Sequence, residues 1–167
     1  MKNKKEERIP FFRKIYDRIY IANDGYCTTG NESNYIIHAC KYPCYHRITR
    51  GIKYETDSPE YLFVEYPHDL YLNIIDPDKP LFMKGTFDVF LYFMDEKWGK
   101  ERNNIIIHCN EGVSRAPSLG LLFLAKNLKA ISNDSYDAAR EDFFKIFPEY
   151  MPKNGIVQFL TKNWGDI

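Results

Sequence analysis

The sequence has no excess of charge of either sign: 23 lysine and arginine residues stand against 23 aspartate and glutamate residues. Such a chain lacks the broad positive field with which proteins attract nucleic acids, so we expect no nucleic-acid partner. It also lacks an apolar run long enough to cross a bilayer, and no apolar stretch follows the charged residues 1–8, as a secretory signal requires. These absences predict a cytoplasmic protein that associates with no membrane.

Cysteine is scarce as well, with four residues in 167: Cys27, Cys40, Cys44 and Cys109. A chain of this length without an export signal does not need a disulfide framework, so we expect the thiols to be reduced. Apolar residues nevertheless make up 44% of the sequence, which is enough for one globular domain with a buried core. We therefore predict a monomer with a charged tail over residues 1–8 and a single domain over residues 9–167.

Hydrophobic periodicity divides the chain into strands and helices. Alternating or continuous apolar residues predict strands over residues 15–22, 35–37, 61–66, 70–75 and 104–108. A helical period predicts helices over residues 87–98 with Gly99 as the end, 117–128, 134–147 with Asp134 as the N-cap, and 155–164. This order predicts an α/β fold with one central sheet, mostly parallel or mixed, flanked by helices.

One segment lies between a strand and a helix that are both predicted to be buried, and it reads His108-Cys109-Asn110-Glu111-Gly112-Val113-Ser114-Arg115. Its loop can curl so that backbone N–H groups surround an anion, and Gly112 supplies the conformational freedom that this requires. The following helix adds a partial positive charge, and the planar guanidinium of Arg115 can hold two oxygens of one phosphate. The residues predicted to bind phosphate are therefore Asn110, Glu111, Gly112, Val113, Ser114 and Arg115.

The same field acts on Cys109, at the base of this loop. A helix N-terminus and a nearby cation stabilise a thiolate, which is the nucleophilic form of cysteine. A thiolate below a bound phosphate is placed for in-line attack on phosphorus. We therefore predict that Cys109 forms a cysteinyl-phosphate intermediate and that Arg115 clamps the group that is transferred.

The run HCNEGVSRAPS resembles the signature H-C-x-x-G-x-x-R of the cysteine-based protein tyrosine phosphatases, and within that superfamily it is most similar to the dual-specificity branch. The run LYLNIID and the helix after it resemble that branch's acid loop, and FPEYMPKNGI resembles its C-terminal turn and last helix. The resemblance covers the chain from about Tyr61 onward. It implies the protein tyrosine phosphatase fold, a phosphorylated protein as substrate, and hydrolysis without a cofactor or a metal.

The resemblance also implies an aspartate, upstream of the cysteine, that protonates the leaving group. The candidates are Asp76 and Asp78, which flank Pro77 in one turn. We favour Asp76 because it directly follows a predicted strand and because its separation from Cys109 is close to that in the family. Asp78 is then an ordinary solvated residue of the turn.

Two neighbours of the loop have more than one interpretation. His108 either supports the loop, by hydrogen bonding its backbone and helping to hold the thiolate, or is an ordinary histidine at a strand end; the resemblance favours support. Ala116 stands where many relatives have serine or threonine, whose hydroxyl helps the thiolate to leave. The sequence therefore predicts attack by Cys109 and leaves the rate of intermediate hydrolysis open, with Ser114 and Ser118 as the nearby hydroxyls.

A second group of reactive side chains lies within nine residues: His38, Cys40, Cys44 and His46. All four can bind zinc, but structural zinc sites usually draw their ligand pairs from segments farther apart. Packing explains His38 and Cys40 equally well, because alternate residues of a strand share a face. We expect no metal here, and a role for Cys40 or Cys44 as a thiol that resolves oxidised Cys109 is a further alternative.

The resulting hypothesis is a dual-specificity-type protein phosphatase that acts on phosphotyrosine, with phosphoserine and phosphothreonine as further targets. The same chemistry on an inositol phosphate, a phosphoinositide or an RNA 5′ phosphate is an alternative, although Glu111 in the loop disfavours highly charged substrates. A catalytically weak phosphate-binding module is a third hypothesis. Arg47, Arg50 and Lys53 either contact a substrate at the rim of the site or belong to a solvated basic loop.

Overall fold

The computed structural model describes residues 10–100 and 102–167, and the charged tail predicted for residues 1–8 lies outside them. The strands in this part of the chain are β1 (Phe12–Tyr16), β2 (Ile19–Ala22), β3 (Asn34–His38), β4 (Phe63–Tyr66), β5 (Asp69–Leu72) and β6 (Asn104–His108). The α-helices are α1 (His46–Ile48), α2 (Lys84–Lys100), α3 (Arg115–Lys126), α4 (Tyr136–Ile146) and α5 (Asn154–Asn163). Short turns of other helical types cover Asp24–Tyr26, Lys41–Tyr45 and Pro59–Tyr61. None of the helices in the described residues has the length and apolar composition that a transmembrane segment needs.

These six strands form one mixed sheet in the order β1-β2-β6-β3-β5-β4. The inner strands β2, β6, β3 and β5 run parallel, and the edge strands β1 and β4 pair antiparallel with their neighbours. Parallel neighbours require crossover connections, and α2 lies in the connection between β5 and β6. The structure thus confirms the predicted α/β fold with one central mixed sheet.

The two faces of the sheet carry apolar clusters of very different size. One face carries the main core, in which Ile37 and Ile107 belong to the same buried cluster as apolar residues of α2, α3, α4 and α5. The opposite face has a small separate cluster of Ala22, Ile36 and Ile106. Because successive side chains of a strand point to opposite faces, His38 and His108 share the side of Ile36 and Ile106.

The candidate site lies at the edge of the sheet where the parallel strands end. In open α/β sheets, ligands bind beyond the carboxyl ends of the strands. The predicted phosphate-binding loop follows β6 at this edge, and Asp76 follows β5. Because β3 alone separates these two strands in the sheet, the two segments start from nearby positions.

Several predicted boundaries were wrong, three of them for an identifiable reason. Residues 15–22 form two strands, because the chain reverses and Tyr16 pairs with Ile19; apolar residues on both sides of the turn hide it from the pattern. The N-cap of α4 is Ser135 instead of Asp134, since the side chain of Ser135 accepts the N–H of Ala138. Helix α2 continues past Gly99 to Lys100, because one glycine destabilises a helix by only about 1 kcal/mol.

Candidate active site

The loop between β6 and α3 curls around the sulfur of Cys109. The backbone N–H of Gly112 points at Cys109 Sγ, with a nitrogen–sulfur distance of 3.3 Å. Gly112 has a φ of +78°, and a Cβ atom added there would lie 3.0 Å from the carbonyl oxygen of Ala22. A left-handed conformation at such close range favours glycine over every other residue. The sequence-predicted turn at Gly112 is therefore the point at which the loop folds back on its cysteine.

Segments that are distant in sequence hold this loop from outside. The N–H of Met151 donates to the carbonyl oxygen of Val113 at 2.8 Å, and the N–H of Asp24 donates to that of Asn110 at 3.2 Å. The Asn110 side chain reaches out in turn, and its Nδ2 donates to the carbonyl oxygen of Tyr42 at 3.0 Å. The surrounding fold therefore holds the loop in shape.

Arg115, the first residue of α3, is nearly buried, with 9% of its surface exposed. Its Nη2 donates to Asn110 Oδ1 at 2.5 Å, and its Nη1 donates to the carbonyl oxygen of Ile74 at 3.2 Å. Its Nε has no hydrogen-bond partner among residues 10–100 and 102–167, and it lies 4.0 Å from Asp76 Oδ2. Buried donors are nearly always paired, so Nε is a donor that a further group could use.

Asp76 lies beside this guanidinium and is partly buried. Its Oδ1 accepts a hydrogen bond from Ser114 Oγ at 3.0 Å. Burial raises the pKa of the Asp76 carboxyl above its usual value, although the hydrogen bond from Ser114 and the charge of Arg115 act in the opposite direction. A carboxyl with a raised pKa holds its proton to higher pH, as a general acid must.

A cavity of about 370 Å³ joins these groups. Its lining contains most of the predicted site residues together with part of the segment before α5: Asp76, Cys109, Asn110, Glu111, Val113, Ser114, Arg115, Met151, Pro152 and Lys153. Asp78 is exposed and does not line the cavity, so the structure separates the two aspartates that the sequence offered. Met151, Pro152 and Lys153 were not among the predicted site residues, because nothing in the local pattern shows that this turn packs against the loop.

Solved structures of similar shape are known, although no family model and no curated protein matches the sequence. The PTP-2 phosphatase of Cydia pomonella matches with a TM-score of 0.63 and 13% identity over 91% of this chain and 89% of that chain. The human tyrosine phosphatase-like serine/threonine/tyrosine-interacting protein matches with a TM-score of 0.64 and 14% identity, covering 93% and 96%. Human DUSP28 matches with a TM-score of 0.60 and 10% identity, covering 93% of both chains.

The chain has the fold of the dual-specificity and tyrosine phosphatases. This finding confirms, at the level of the fold, the resemblance that the run HCNEGVSRAPS indicates. It also extends the resemblance to the part of the chain before Tyr61, which the sequence alone related to the family only loosely.

Within this phosphatase fold, the two serines near the loop are already engaged. Ser118 Oγ donates to the carbonyl oxygen of Ser114 at 2.7 Å and lies 2.7 Å from the hydroxyl of Tyr150 in the core. Ser114 Oγ contacts Asp76 and also accepts the N–H of Lys153 at 3.1 Å. Ala116 is fully buried and adds no hydroxyl. Neither serine therefore replaces, in this geometry, the hydroxyl that Ala116 lacks.

The basic residues considered for the rim do not line the cavity of Cys109. Lys53 lines a separate cavity of about 290 Å³ beside Tyr42 and Tyr45. Arg47 lines another cavity, of about 230 Å³, together with Cys27 and His38. The structure thus favours the solvated-loop interpretation of these side chains over direct contact with a group bound at Cys109.

His108 is fully buried, and the Nε2 side of its ring faces His38 and Cys44. Its Nε2 lies 2.8 Å from His38 Nδ1 and 3.9 Å from Cys44 Sγ. Its Nδ1 has no hydrogen-bond partner among the described residues, so the hydrogen bond to the loop backbone that the sequence suggested is not formed there. His108 instead belongs to a cluster on the opposite face of the sheet, which we call the thiol–imidazole cluster: Cys27, His38, Cys44 and His108.

This thiol–imidazole cluster differs from the group that the sequence singled out. His38 and Cys44 belong to it, Cys40 and His46 do not, and Cys27 and His108 come from segments distant in sequence. A hydrogen bond with Cys44 lowers the pKa of the Cys27 thiol, and the same contact raises that of Cys44. Burial acts to lower the pKa of His38, but its hydrogen bond with Asp69 leaves that pKa raised.

Proposed function

We propose that this protein hydrolyses phosphomonoesters through a cysteinyl-phosphate intermediate on Cys109. One observation carries the proposal: the sulfur of Cys109, the guanidinium of Arg115 and the carboxyl of Asp76 line a single cavity, with the Gly112 N–H directed at the sulfur. A nucleophile, a clamp for phosphate oxygens and a carboxyl with a raised pKa are the groups that such a reaction requires.

In the first step, the Cys109 thiolate attacks phosphorus in line with the leaving oxygen. A sulfur–phosphorus bond forms as the bond from phosphorus to the substrate oxygen breaks. Asp76, protonated, gives its proton to the departing alkoxide or phenoxide. Arg115 and the inward N–H groups of the loop hold the equatorial oxygens, on which the negative charge lies.

In the second step, water attacks the phosphorus of the intermediate. Asp76, now ionised, takes a proton from that water, and the sulfur–phosphorus bond breaks to release inorganic phosphate and the Cys109 thiolate. The absence of a hydroxyl at Ala116 removes one group that would stabilise the departing thiolate. We therefore expect this step to be the slower one.

The substrate that we propose is a phosphorylated protein, with phosphotyrosine as the main target and phosphoserine and phosphothreonine as further ones. The charges around the cavity support this choice. The lining carries two acidic side chains, Asp76 and Glu111, and two basic ones, Arg115 and Lys153. Such a balanced site suits a single phosphate group better than an inositol polyphosphate, whose many charges would need an excess of cations.

A catalytically weak phosphate-binding module is the second candidate. The observation that favours it is Ala116, because an enzyme that cannot release its intermediate binds phosphate and turns over little. One structural neighbour is itself described as phosphatase-like and as an interacting protein. Such a module would keep the phosphoryl group on Cys109. It would release the alcohol or phenol product in one stoichiometric burst and show no steady turnover.

The test compares turnover of three kinds of phosphate ester by the full chain: phosphopeptides, inositol phosphates and an RNA 5′ phosphate, with p-nitrophenyl phosphate as a general reporter. We expect steady hydrolysis of phosphotyrosine peptides and of the reporter, and no activity above background in Cys109→Ser. Faster turnover of inositol phosphates or RNA would overturn the proposed substrate. Residual activity in Cys109→Ser equal to that of the wild type would overturn the proposed chemistry.

A further inference from the structure

The thiol–imidazole cluster lies directly behind the phosphate-binding loop, on the other face of the sheet. His38 and His108 are register partners at the ends of β3 and β6, so their rings stand side by side. Cys109, one residue later, points to the opposite side and into the main core. Cys27 and Cys44 reach the two rings from the connections that follow β2 and β3. Four side chains from three parts of the fold thus converge on one point.

Four distances within this cluster are near those of a tetrahedral zinc site, two of them shorter and two slightly longer. Cys27 Sγ lies 3.3 Å from Cys44 Sγ and 3.8 Å from His38 Nδ1, while His108 Nε2 lies 2.8 Å from His38 Nδ1 and 3.9 Å from Cys44 Sγ. All four ligand atoms lie within 4.8 Å of one another. Zinc bonds of about 2.3 Å to sulfur and about 2.0–2.1 Å to nitrogen place tetrahedral neighbours roughly 3.3–3.8 Å apart. Small side-chain rotations are therefore enough to centre an ion.

A buried carboxylate orients one of the two rings. Asp69 Oδ1 lies 3.0 Å from His38 Nε2 and also accepts the N–H of Gly30 at 2.8 Å. A neutral ring that donates its Nε2 proton to this carboxylate presents the lone pair of Nδ1 to the cluster. A histidine held in this way by a carboxylate is the common arrangement behind zinc in proteins.

We propose that Cys27, His38, Cys44 and His108 bind one zinc ion as a structural site. Two thiolates and two neutral imidazoles are a donor set that zinc prefers, and both cysteines would release a proton when the ion binds. Four protein ligands fill a tetrahedral ion and leave no position for a substrate, so the site is structural in kind. This proposal replaces the expectation, drawn from the sequence, that the chain holds no metal.

The ion would stabilise the part of the fold that has least apolar packing. The buried cluster on this face contains Ala22, Ile36 and Ile106, far fewer residues than the main core. A zinc ion would tie the connections that carry Cys27 and Cys44 to the central strands, where burial contributes little. A cavity of about 230 Å³ lined by Cys27, His38 and Cys44 gives the ion a way in.

The same ion would steady the phosphate-binding loop from behind. His108 directly precedes Cys109, so fixing its ring fixes the start of the loop. On the other side, the carbonyl oxygen of Tyr42, two residues before Cys44, accepts a hydrogen bond from Asn110, whose Oδ1 in turn holds Arg115. Loss of the ion should therefore loosen both ends of the loop as well as lower stability.

The test measures the zinc content of the full chain, purified under reducing conditions, incubated with zinc and freed of excess metal. We expect about one zinc per chain in the wild type and almost none in Cys27→Ser or Cys44→Ser. Cys40→Ser is the matched control, because Cys40 is buried nearby but lies outside the cluster, and it should retain the ion. Cys109→Ser should also retain it, whether or not the proposed phosphatase chemistry is right.

A spectroscopic experiment on the unaltered chain decides the matter if the cysteine variants do not fold. Cobalt(II) in place of zinc should show the strong visible bands of a tetrahedral ion and charge-transfer absorption from thiolate. Removal of zinc by a chelator should lower the melting temperature, and added zinc should restore it. Absence of these bands, absence of bound zinc in the wild type, equal zinc loss in Cys40→Ser, or a Cys27–Cys44 disulfide that persists in reductant would each overturn the proposal.

Discussion

The hydroxyl of Ser114 donates a hydrogen bond to Oδ1 of Asp76 at 3.0 Å. This bond connects the segment after β5, which contains Asp76, to Ser114, the last residue of the loop between β6 and α3. The N–H of Lys153 donates to the same hydroxyl, so three segments meet at one oxygen. Asp76 is thus positioned by the loop between β6 and α3. Movement of that loop would therefore displace the proposed acid together with the proposed nucleophile, Cys109.

We expect Asp76→Asn to lower kcat/KM, which reports the first step, by about 10²–10⁴-fold, the usual contribution of a general acid. The loss should be small for p-nitrophenyl phosphate, whose leaving group needs little protonation, and large for phenyl phosphate or a phosphopeptide. The kcat/KM of the wild type should fall as pH rises through the raised pKa of Asp76, since the acid of the first step must be protonated. This decline with rising pH should be missing in Asp76→Asn.

Asp78→Asn is the control for this experiment. Asp78 is exposed and lies outside the cavity, so its replacement should leave kcat/KM and its pH profile close to those of the wild type. If Asp78→Asn removed the decline with rising pH and Asp76→Asn did not, the assignment of the acid would be reversed.

In Ser114→Ala, the decline of activity with rising pH should occur at a higher pH than in the wild type. The hydrogen bond from Ser114 lowers the pKa of Asp76 and so works against the effect of burial. Without that bond, burial acts with less opposition and the carboxyl holds its proton longer. Kinetic pH profiles of the two proteins measure the shift, and Ser118→Ala, a buried serine that contacts Tyr150 instead, should leave the decline in place. A shift to lower pH in Ser114→Ala would contradict this electrostatic explanation.

Asp76→Asn should also make the folded protein more stable at neutral pH. The pKa of Asp76 is raised in the folded state, so its contribution to stability is greatest below the unfolded pKa and is lost as pH rises through the folded pKa. Asparagine keeps the shape and carries no buried charge. Urea unfolding should therefore show that the free energies of unfolding of the two proteins differ near pH 7 and converge under acidic conditions. A variant less stable than the wild type at pH 7 would contradict this prediction.

Ala116→Ser should accelerate release of the intermediate. If hydrolysis of the cysteinyl phosphate limits turnover, the wild type should show a burst of product before the steady state. A hydroxyl at this position, as in many relatives, should raise kcat by roughly tenfold and reduce the burst. This increase in rate corresponds to one hydrogen bond of about 1.4 kcal/mol to the departing thiolate. Ala125→Ser places a hydroxyl in the same buried helix, far along from the loop, and should change stability without changing the burst.

Gly112→Ala should destabilise the protein by at least about 1–2 kcal/mol, because an L-residue is strained at positive φ and its Cβ would press on Ala22. Affinity for inorganic phosphate, measured by competitive inhibition, should fall with it. Gly99→Ala is the matched control: nothing lies within 4 Å of a Cβ there, and the residue is helical. Gly99→Ala should stabilise the protein by up to about 1 kcal/mol. Similar unfolding curves for the two variants would refute the proposed strain at Gly112.

Much of the architecture follows from local pattern. The consecutive isoleucines of residues 105–107 predict a strand buried on both faces, and β6 covers Asn104–His108 as expected. The continuous apolar run after Arg115 predicts the central helix α3, which starts two residues earlier than expected. The hairpin between β1 and β2 could not be seen, because apolar residues continue through it. Its turn is decided by pairing across the sheet.

What the sequence by itself determined is the shape of the loop that contains Cys109, because the spacing of Cys109, Gly112 and Arg115 encodes a local curl followed by a helix N-terminus. Only the tertiary structure decided that Asp76, and not Asp78, meets Ser114, and that Cys27 and His108 join His38 and Cys44. Those relationships depend on strand order and register, in which β3 lies between β5 and β6 and places residues 70 positions apart side by side. Such contacts arise from packing of the whole sheet, and short-range sequence propensities do not predict them.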